Sequence, residues 1–241
     1  MASKRTIYKS QFFKKYKDGS FRSAKIVIPI IFNLIQIKSV VDVGCGAGVW
    51  LKAFQEEGIE DVFGIDGNST EVQDLSSNKF LIVDLGQEFK LDRRFDLAIS
   101  LEVAEHLMPA NADDFVLNLT SLAPIVLFSA AVPCQGGTHH VNEQWPDYWA
   151  EKFLKRGFLA FDVLRMRLWN EPEVEWWYKQ NLILYIHRDF IPRIPSISNL
   201  SSVEKPPKLF HPDGIRIKII FKIALKQLKK RLGLAKKGWS N

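Results

Sequence analysis

The sequence predicts an α/β fold in which a doubly wound, mostly parallel sheet carries helices on both faces. Short apolar runs typical of buried strands alternate along the chain with segments whose apolar residues recur every three or four positions. Such alternation favours a parallel sheet, and parallel sheets bind ligands at the carboxyl ends of their strands. The seven predicted strands lie at residues 39–43, 61–66, 80–85, 95–101, 124–129, 159–163 and 181–187.

The first predicted helix covers residues 20–37, because apolar residues there recur at spacings of three and four. It precedes the first strand, so we expect it to cover the sheet as a cap element. Later helices are predicted at 111–121 and 146–156, between strands, where the same periodicity returns.

One folded domain and two smaller segments are expected. The domain spans residues 1–190 and includes an N-terminal cap region at 1–37. Prolines among serines mark residues 191–213 as a linker, and residues 214–241 form a basic amphipathic tail.

Composition places the chain among ordinary globular proteins, since 46% of its 241 residues are hydrophobic and 25% are charged. Its two cysteines, Cys45 and Cys134, indicate neither a disulfide framework nor a thiolate zinc site. No apolar run approaches the roughly 18 residues of a membrane span. We therefore expect a cytoplasmic protein, with peripheral membrane contact left open.

Positive charge is concentrated in the tail. Nine lysines and arginines follow Asp213 and no acid does, although the whole chain has a formal net charge of only +6. Apolar residues from Ile217 onward and lysines from Lys218 onward would occupy opposite faces of a helix, which is typical of membrane-surface helices and of elements that dock on acidic partners. Packing on its own domain and a nucleic-acid contact stay open, although the mildly acidic remainder disfavours broad RNA binding.

A glycine-rich loop follows the first strand. The strand carries Asp42, and the chain then turns through Gly44, Gly46 and Gly48 into a predicted helix. Glycines allow positive φ and close backbone approach to a ligand, which the N–H groups of the helix start can bind. A dinucleotide loop would have glycine where Val49 stands, and a phosphate loop would have a lysine followed by serine or threonine. An adenosine ligand that carries an uncharged sulfur or a sulfonium remains, with Asp42 placed to meet a cationic amino group.

Two further strands end on acids. Asp66 lies about twenty residues beyond the glycines, where a carboxylate can accept both ribose hydroxyls. Asp84 ends the third strand and is placed to accept from an adenine amino group. A single acid in such a position can equally cap a helix, but three successive strands with this feature favour a nucleotide site.

These motifs resemble those of the class I S-adenosylmethionine-dependent methyltransferases, which have a Rossmann-like fold. The resemblance implies that S-adenosylmethionine is the cofactor, that the glycines back its methionine part, that Asp66 holds the ribose and that Asp84 and Leu85 frame the adenine. The matching motifs are Val41–Gly48, Gly64–Asp66, Val83–Leu85 and Phe95–Leu107. The cofactor-binding residues implied are Asp42, Gly44, Cys45, Gly46, Gly48, Asp66, Gly67, Asp84, Leu85, Leu101 and Glu102.

A second group of polar residues follows the fourth strand. If Glu102-x-x-Glu105-His106 opens a helix, the two glutamates share a face, and His140 from the loop after the fifth strand could join them. This pattern resembles that of the small-RNA 2′-O-methyltransferases and the ubiquinone-pathway O-methyltransferases. The resemblance implies a divalent cation such as Mg²⁺ held by Glu102, Glu105, His106 and His140, but related enzymes with similar residues use no metal.

Without a metal, His139 or His140 can act as a general base, since an imidazole with a pKa of about 6.5 suits removal of a hydroxyl proton. The catalytic candidates are His140, His139, Glu105 and His106.

The segment 139–149, which is rich in aromatic residues, resembles bacterial methyltransferases of glycan and secondary-metabolite assembly. The sequence as a whole therefore predicts an O-methyltransferase acting on a small acceptor, such as a sugar or glycan intermediate or a secondary metabolite. A metal-dependent RNA 2′-O-methyltransferase and a non-catalytic S-adenosylmethionine-binding scaffold are the alternatives.

Overall fold

The computed structural model describes residues 4–67 and 79–214, with side chains from residue 18 onward. Seven strands form one sheet in the order β3-β2-β1-β4-β5-β7-β6, which confirms the predicted fold class. The strands are β1 (Ser39–Val43), β2 (Asp61–Asp66), β3 (Phe80–Ile82), β4 (Leu97–Leu101), β5 (Ile125–Ser129), β6 (Phe158–Phe161) and β7 (Ile183–His187).

The strands of the sheet are parallel except at one edge. Strands β1 to β5 pair in parallel, whereas β7 is antiparallel to both β5 and β6. The register sets Val43 beside Ile65 and Asp66 beside Ile82, so the carboxyl ends of the first three strands share one edge. We call this edge, together with the carboxyl ends of β4, β5 and β6, the upper end of the sheet.

Helices cover both faces of the sheet. One face carries α1, α2 and α6, whose side chains such as Ile28, Phe54 and Tyr178 share a core; the other carries α3 and α4, which contribute Phe115 and Phe153. The helices are α1 (Lys4–Phe32), α2 (Val49–Glu56), α3 (Ala112–Leu122), α4 (Pro146–Lys155), α5 (Arg165–Leu168), α6 (Trp176–Asn181) and α7 (Pro195–Ser198). Short 3₁₀ turns lie at Ala104–His106, Pro109–Asn111, Ile191–Arg193 and Pro212–Gly214.

Helix α1 and strand β3 differ most from their predicted bounds. Helix α1 covers Lys4–Phe32 rather than residues 20–37, and Leu34, Ile35 and Ile37 are buried in the segment that connects it to β1. Their apolar spacing reflects packing in a connector. Strand β3 ends at Ile82 rather than at residue 85, because the chain then enters a turn.

The proline-rich segment predicted as a linker is packed against the domain. Ile194 and Ile197 are buried in the core, and Val203 donates its N–H to the carbonyl of Ala160 in edge strand β6 (2.8 Å). Residues 191–214 are thus part of the folded unit, because side chains and backbone groups along this segment have partners in the domain. The predicted tail beyond Gly214 lies outside the described residues.

A fully buried arginine, Arg165, binds residues 191–214 to the rest of the domain. Arg165 makes two hydrogen bonds to the Asp162 carboxylate (2.8 and 2.6 Å) and donates to the carbonyls of Gln180 and Pro207 (3.2 and 2.9 Å). One side chain therefore joins three parts of the chain that are distant in sequence.

Replacing Arg165 by leucine should lower the free energy of unfolding by roughly 3 kcal/mol or more, because Asp162 and two carbonyls would lose a buried partner. Urea unfolding would measure the change. The matched control is Lys155→Leu, which removes an exposed ion pair with Glu151 and should cost under about 1 kcal/mol. Equal effects of the two changes would contradict the assigned role of Arg165.

Candidate active site

The glycine loop at the upper end has a conformation that glycine alone adopts easily. Gly44, Gly46 and Gly48 have φ values of 85°, 51° and 74°, in the left-handed region. At Gly44 a Cβ atom would also lie 2.4 Å from Cγ2 of Val103. The loop can therefore pass close to neighbouring groups, and Gly48 leads directly into α2.

Asp66 joins the glycine loop to the end of β2. The Gly46 N–H donates to Asp66 Oδ2 (2.8 Å), and the N–H groups of Gly44 and Cys45 donate to the carbonyl of Ile65 (2.8 and 3.2 Å). Gly67 follows, and the Val83 carbonyl oxygen, 3.7 Å away, is the nearest atom of the described residues to where its Cβ would be. The acid predicted to hold a ribose thus lies beside the glycines.

Two other predicted cofactor residues are buried, Asp42 in β1 and Cys45 within the loop. Burial raises the pKa of Asp42, and the nearby Asp66 carboxylate raises it further; a cationic group bound beside it would favour the charged form and lower this pKa. Burial also raises the pKa of the Cys45 thiol, which is therefore no nucleophile, and Cys45 contributes its backbone to the loop.

The predicted adenine side lies beyond β3. Asp84 accepts the Gly86 N–H on Oδ1 (2.9 Å) and stabilises the turn, while Leu85 is buried. The Asn111 side-chain amide donates to the Gly86 carbonyl, which ties this turn to the start of α3. Leu101, one of the cofactor-binding residues that the resemblance implies, is the last residue of β4 and is half-buried.

Glu102 does not lie where the helical interpretation put it. Its φ of 57° turns the chain sharply after β4, and a 3₁₀ turn follows at Ala104–His106 instead of a helix. Its carboxylate accepts from Gln135 Nε2 (2.8 Å) and Asn181 Nδ2 (3.0 Å). The expected shared face with Glu105 is therefore wrong, and Glu102 is engaged with two amides.

The other three residues of the predicted metal set do converge. One ligand atom from each of Glu105, His106 and His140 lies within 4.8 Å of the others. The two imidazole rings are perpendicular with centroids 4.9 Å apart, and His140 Nε2 lies 4.0 Å from Glu105 Oε1. Partial burial and the His140 ring lower the pKa of His106.

Glu105 is the most unusual side chain at this site. It is 1% exposed, and neither carboxylate oxygen has a hydrogen-bond partner within normal geometry among the described residues. Burial raises its pKa well above the usual range, helped by the Glu102 carboxylate and opposed only partly by nearby backbone N–H groups. Its backbone carbonyl accepts the N–H groups of Val141 and Asn142 (2.9 and 3.0 Å), which brings the His140 loop against the turn after β4.

His140 is oriented by a residue that the sequence analysis missed. Its Nδ1–H donates to Glu143 Oε1 (3.0 Å), and the Glu143 carboxylate also accepts the N–H groups of Cys134 and Gly136 (2.9 and 2.7 Å). A Cβ on Gly137 would collide with the His140 ring, so a side chain there would displace this ring. The spacing of three between His140 and Glu143 was the available signal.

His139 lies apart from this arrangement. It is exposed, has a φ of 60° and offers its carbonyl to His106 Nδ1–H (3.3 Å). Of the two predicted general bases, His140 is therefore the one held by neighbouring side chains.

Buried amides link the site to the segment at 191–214. Gln180 donates from Nε2 to Gln135 Oε1 (3.2 Å) and accepts the His211 N–H on Oε1 (2.8 Å). Since Gln135 also binds Glu102, hydrogen bonds run continuously from His211 to the end of β4. Nothing in the spacing of these amides along the sequence signals this contact.

A protein-family model described as a methyltransferase domain matches residues 15–181, which is more than half of the chain. The chain therefore belongs to this methyltransferase family. A comparison with curated protein sequences finds no match.

Solved structures share the fold. DesVI from Streptomyces venezuelae has a TM-score of 0.58 at 13% identity, covering 77% of this chain and 99% of that one. KedS8, a sugar N-methyltransferase from a Streptoalloteichus species, has a TM-score of 0.58 at 14% identity, and the match covers 75% of this chain and 92% of KedS8. Magnesium protoporphyrin IX methyltransferase (ChlM) from Synechocystis with bound SAH has a TM-score of 0.53 at 20% identity. That match covers 73% of this chain and 87% of ChlM.

Family and fold together define a class I S-adenosylmethionine-dependent methyltransferase, with S-adenosylmethionine as its cofactor. The residues present fit this group: the glycine loop carries no bulky side chains, and the buried acid Asp42 can compensate a cation. Asp66 ends the next strand, β2, and Asp84 lies two residues beyond the end of β3.

Replacing Asp66 by alanine should weaken S-adenosylmethionine binding by about tenfold or more, because a charge-assisted hydrogen-bond acceptor is lost. Isothermal titration calorimetry would measure the change. Asp61→Ala is the matched control, since Asp61 begins the same strand and pairs with Arg93 at the opposite end. An unchanged dissociation constant for Asp66→Ala would exclude the ribose assignment.

Proposed function

We propose that this protein is an O-methyltransferase in which His140 is the general base for an acceptor hydroxyl. The observation that carries the proposal is the hydrogen bond from His140 Nδ1–H to Glu143 Oε1 (3.0 Å). With Nδ1 holding the proton, Nε2 keeps its lone pair and can accept a proton from the acceptor. Glu143 itself is held by two backbone N–H groups, so the ring orientation is fixed before substrate binds.

The proton and charge balance is simple. S-adenosylmethionine, when bound, would supply an electrophilic methyl group, whose bond to sulfur breaks as the bond to the acceptor oxygen forms, with neutral S-adenosylhomocysteine as the leaving group. The acceptor oxygen must lose its proton as it forms a bond to carbon, and His140 Nε2 takes that proton. The Glu143 carboxylate then stabilises the resulting imidazolium, as a carboxylate behind a catalytic histidine does in other enzymes.

Glu105 supports this role while it is protonated. Burial raises the pKa of this carboxyl and so favours its neutral form, which makes no full ion pair with His140 Nε2 at 4.0 Å and leaves Nε2 available. The perpendicular His106 ring limits the space around His140 and leaves little freedom for rotation.

The acceptor we propose is a sugar, a glycan intermediate or a secondary metabolite. Trp145 is half-buried immediately before α4, with the Phe210 ring against it (5.2 Å between centroids, near-perpendicular). Lys208 lies 5.8 Å from the centre of the same indole and pairs with Asp147. An aromatic surface with polar neighbours suits a sugar ring, which offers C–H groups and hydroxyls together.

Catalysis by a bound divalent cation is the second candidate mechanism. It is favoured by the two carboxylate oxygens of Glu105, which have no hydrogen-bond partner among the described residues. Glu105, His106 and His140 would hold the cation, which would lower the pKa of the acceptor hydroxyl in place of a base. Two imidazoles and one carboxylate suit Mn²⁺ or Zn²⁺ better than Mg²⁺. This mechanism accompanies the alternative RNA 2′-O-methyltransferase activity.

Replacing His140 by alanine should leave S-adenosylmethionine binding intact and lower turnover by roughly 10²- to 10⁴-fold, because the general base is lost. Radiolabelled methyl transfer would measure turnover, and calorimetry would measure binding. His139→Ala, the exposed neighbour, should retain activity. Unchanged turnover in His140→Ala would rule out both the base and the ligand role of this residue.

Chelation distinguishes the two mechanisms. A cell extract would be separated into RNA and low-molecular-weight or lipid-linked glycan fractions, and methyl transfer into each would be measured with and without EDTA. The general-base proposal expects label in the glycan fraction that survives EDTA. Label in RNA that EDTA abolishes would replace it with the metal mechanism, and binding without transfer to any fraction would indicate a scaffold.

A further inference from the structure

Exposed apolar side chains are concentrated at the upper end of the sheet. Seven large hydrophobic residues of the described chain are prominently exposed, and five of them lie in segments at that end. The five are Ile82, Met108, Val141, Met166 and Phe210.

Their positions follow from the hydrogen bonds and packing of those segments. Met108 and Val141 flank the histidine cluster, since Val141 donates its N–H to the Glu105 carbonyl. Met166 comes directly after Arg165, which binds the Gln180 carbonyl just before β7 begins. Phe210 packs against Trp145. Met108 and Met166 are the most exposed of the set, at 61% and 67%.

The remaining two exposed residues provide a contrast. Leu154 lies at the far end of α4, and Leu200 follows α7, which comes after the carboxyl end of the antiparallel strand β7. Both are therefore remote from the end that carries the catalytic groups.

Gly214, the last residue that the structure describes, also lies at the upper end. Gly214 packs so closely on Trp176, at the start of α6, that a Cβ there would lie 2.4 Å from the ring. Helix α6 leads into β7, whose first residue Ile183 pairs with Phe128 near the carboxyl end of β5. His211 is held by Gln180, so the exit point is fixed.

The sequence that follows Gly214 is strongly basic. It carries nine lysines and arginines and no acid, with apolar residues at helical spacing between them. A basic sequence of this kind is attracted to anionic lipid headgroups, and interspersed apolar residues can enter the interface.

We propose that the upper end of the sheet docks on an anionic phospholipid membrane, with the segment after Gly214 supplying the charge and Met108, Val141, Met166 and Phe210 supplying apolar contact. The active site would then open toward the membrane surface. The proposal goes beyond the methyl-transfer chemistry and does not depend on the identity of the acceptor.

Flotation of the full chain with vesicles tests the proposal. Wild-type protein should float with vesicles of phosphatidylcholine mixed with phosphatidylglycerol and should stay behind with phosphatidylcholine alone. Replacing Lys222, Lys226, Lys229 and Lys230 by glutamine should reduce flotation by about tenfold or more, because each basic residue contributes to attraction. No flotation of the wild type would overturn the proposal.

A matched pair of variants tests the orientation. Met108→Ser with Met166→Ser should reduce flotation several-fold, whereas Leu154→Ser with Leu200→Ser should float like the wild type. Both variants should bind S-adenosylmethionine normally, which shows that they are folded. Equal flotation of the two variants would show that the basic segment binds alone and would overturn the proposed docking face.

RNA binding provides a further discriminating measurement. If the wild type shifts single-stranded RNA in a gel but does not float with anionic vesicles, the basic segment serves nucleic acid and the membrane proposal fails. Flotation requires no acceptor and no turnover, so failure here leaves the general-base proposal intact, and failure of methyl transfer leaves the docking result intact.

Discussion

The backbone carbonyl of Glu105 is the point on which the catalytic arrangement depends. It accepts the N–H groups of Val141 and Asn142 and thereby holds the loop after β5 against the turn after β4. Apart from the 3₁₀ turn at Ala104–His106, neither segment has regular structure that would bring the two together. With this contact made, His140 lies between Glu105 and Glu143, and each imidazole nitrogen faces a different carboxyl group.

Backbone strain is concentrated around the same two segments. In the part of the chain that the structure describes, Glu102, Cys134 and His139 are the non-glycine residues with positive φ. Each such residue costs of order 1 kcal/mol or more, so the surrounding packing must hold it. The buried parallel strands β4 and β5 provide that rigid support, and the strain is placed where side-chain direction decides the chemistry.

Sequence patterns predicted what depends on local repetition. Strand β2, which ends at Asp66, and strand β1, which precedes the glycine loop, were recognisable because an apolar run and a sequence motif occur together at each. Glu102 was misplaced because one left-handed residue breaks the helical spacing on which the prediction relied. The amides Gln135, Gln180 and Asn181 could not be found, since their partners are distant in sequence. The composition of residues 191–213 indicated a linker. It could not show that the buried Arg165, which is distant in sequence, donates a hydrogen bond to the Pro207 carbonyl.

The hydrogen bond from His211 to Gln180 has a consequence for synthesis of the chain. The glycine loop and strands β1 to β5 leave the ribosome well before residue 211, whereas a domain generally folds as a unit. The amide chain that ends at Glu102 acquires its last donor only when His211 emerges. The glycine loop is therefore synthesised long before the hydrogen-bonded environment of Glu102 can be completed.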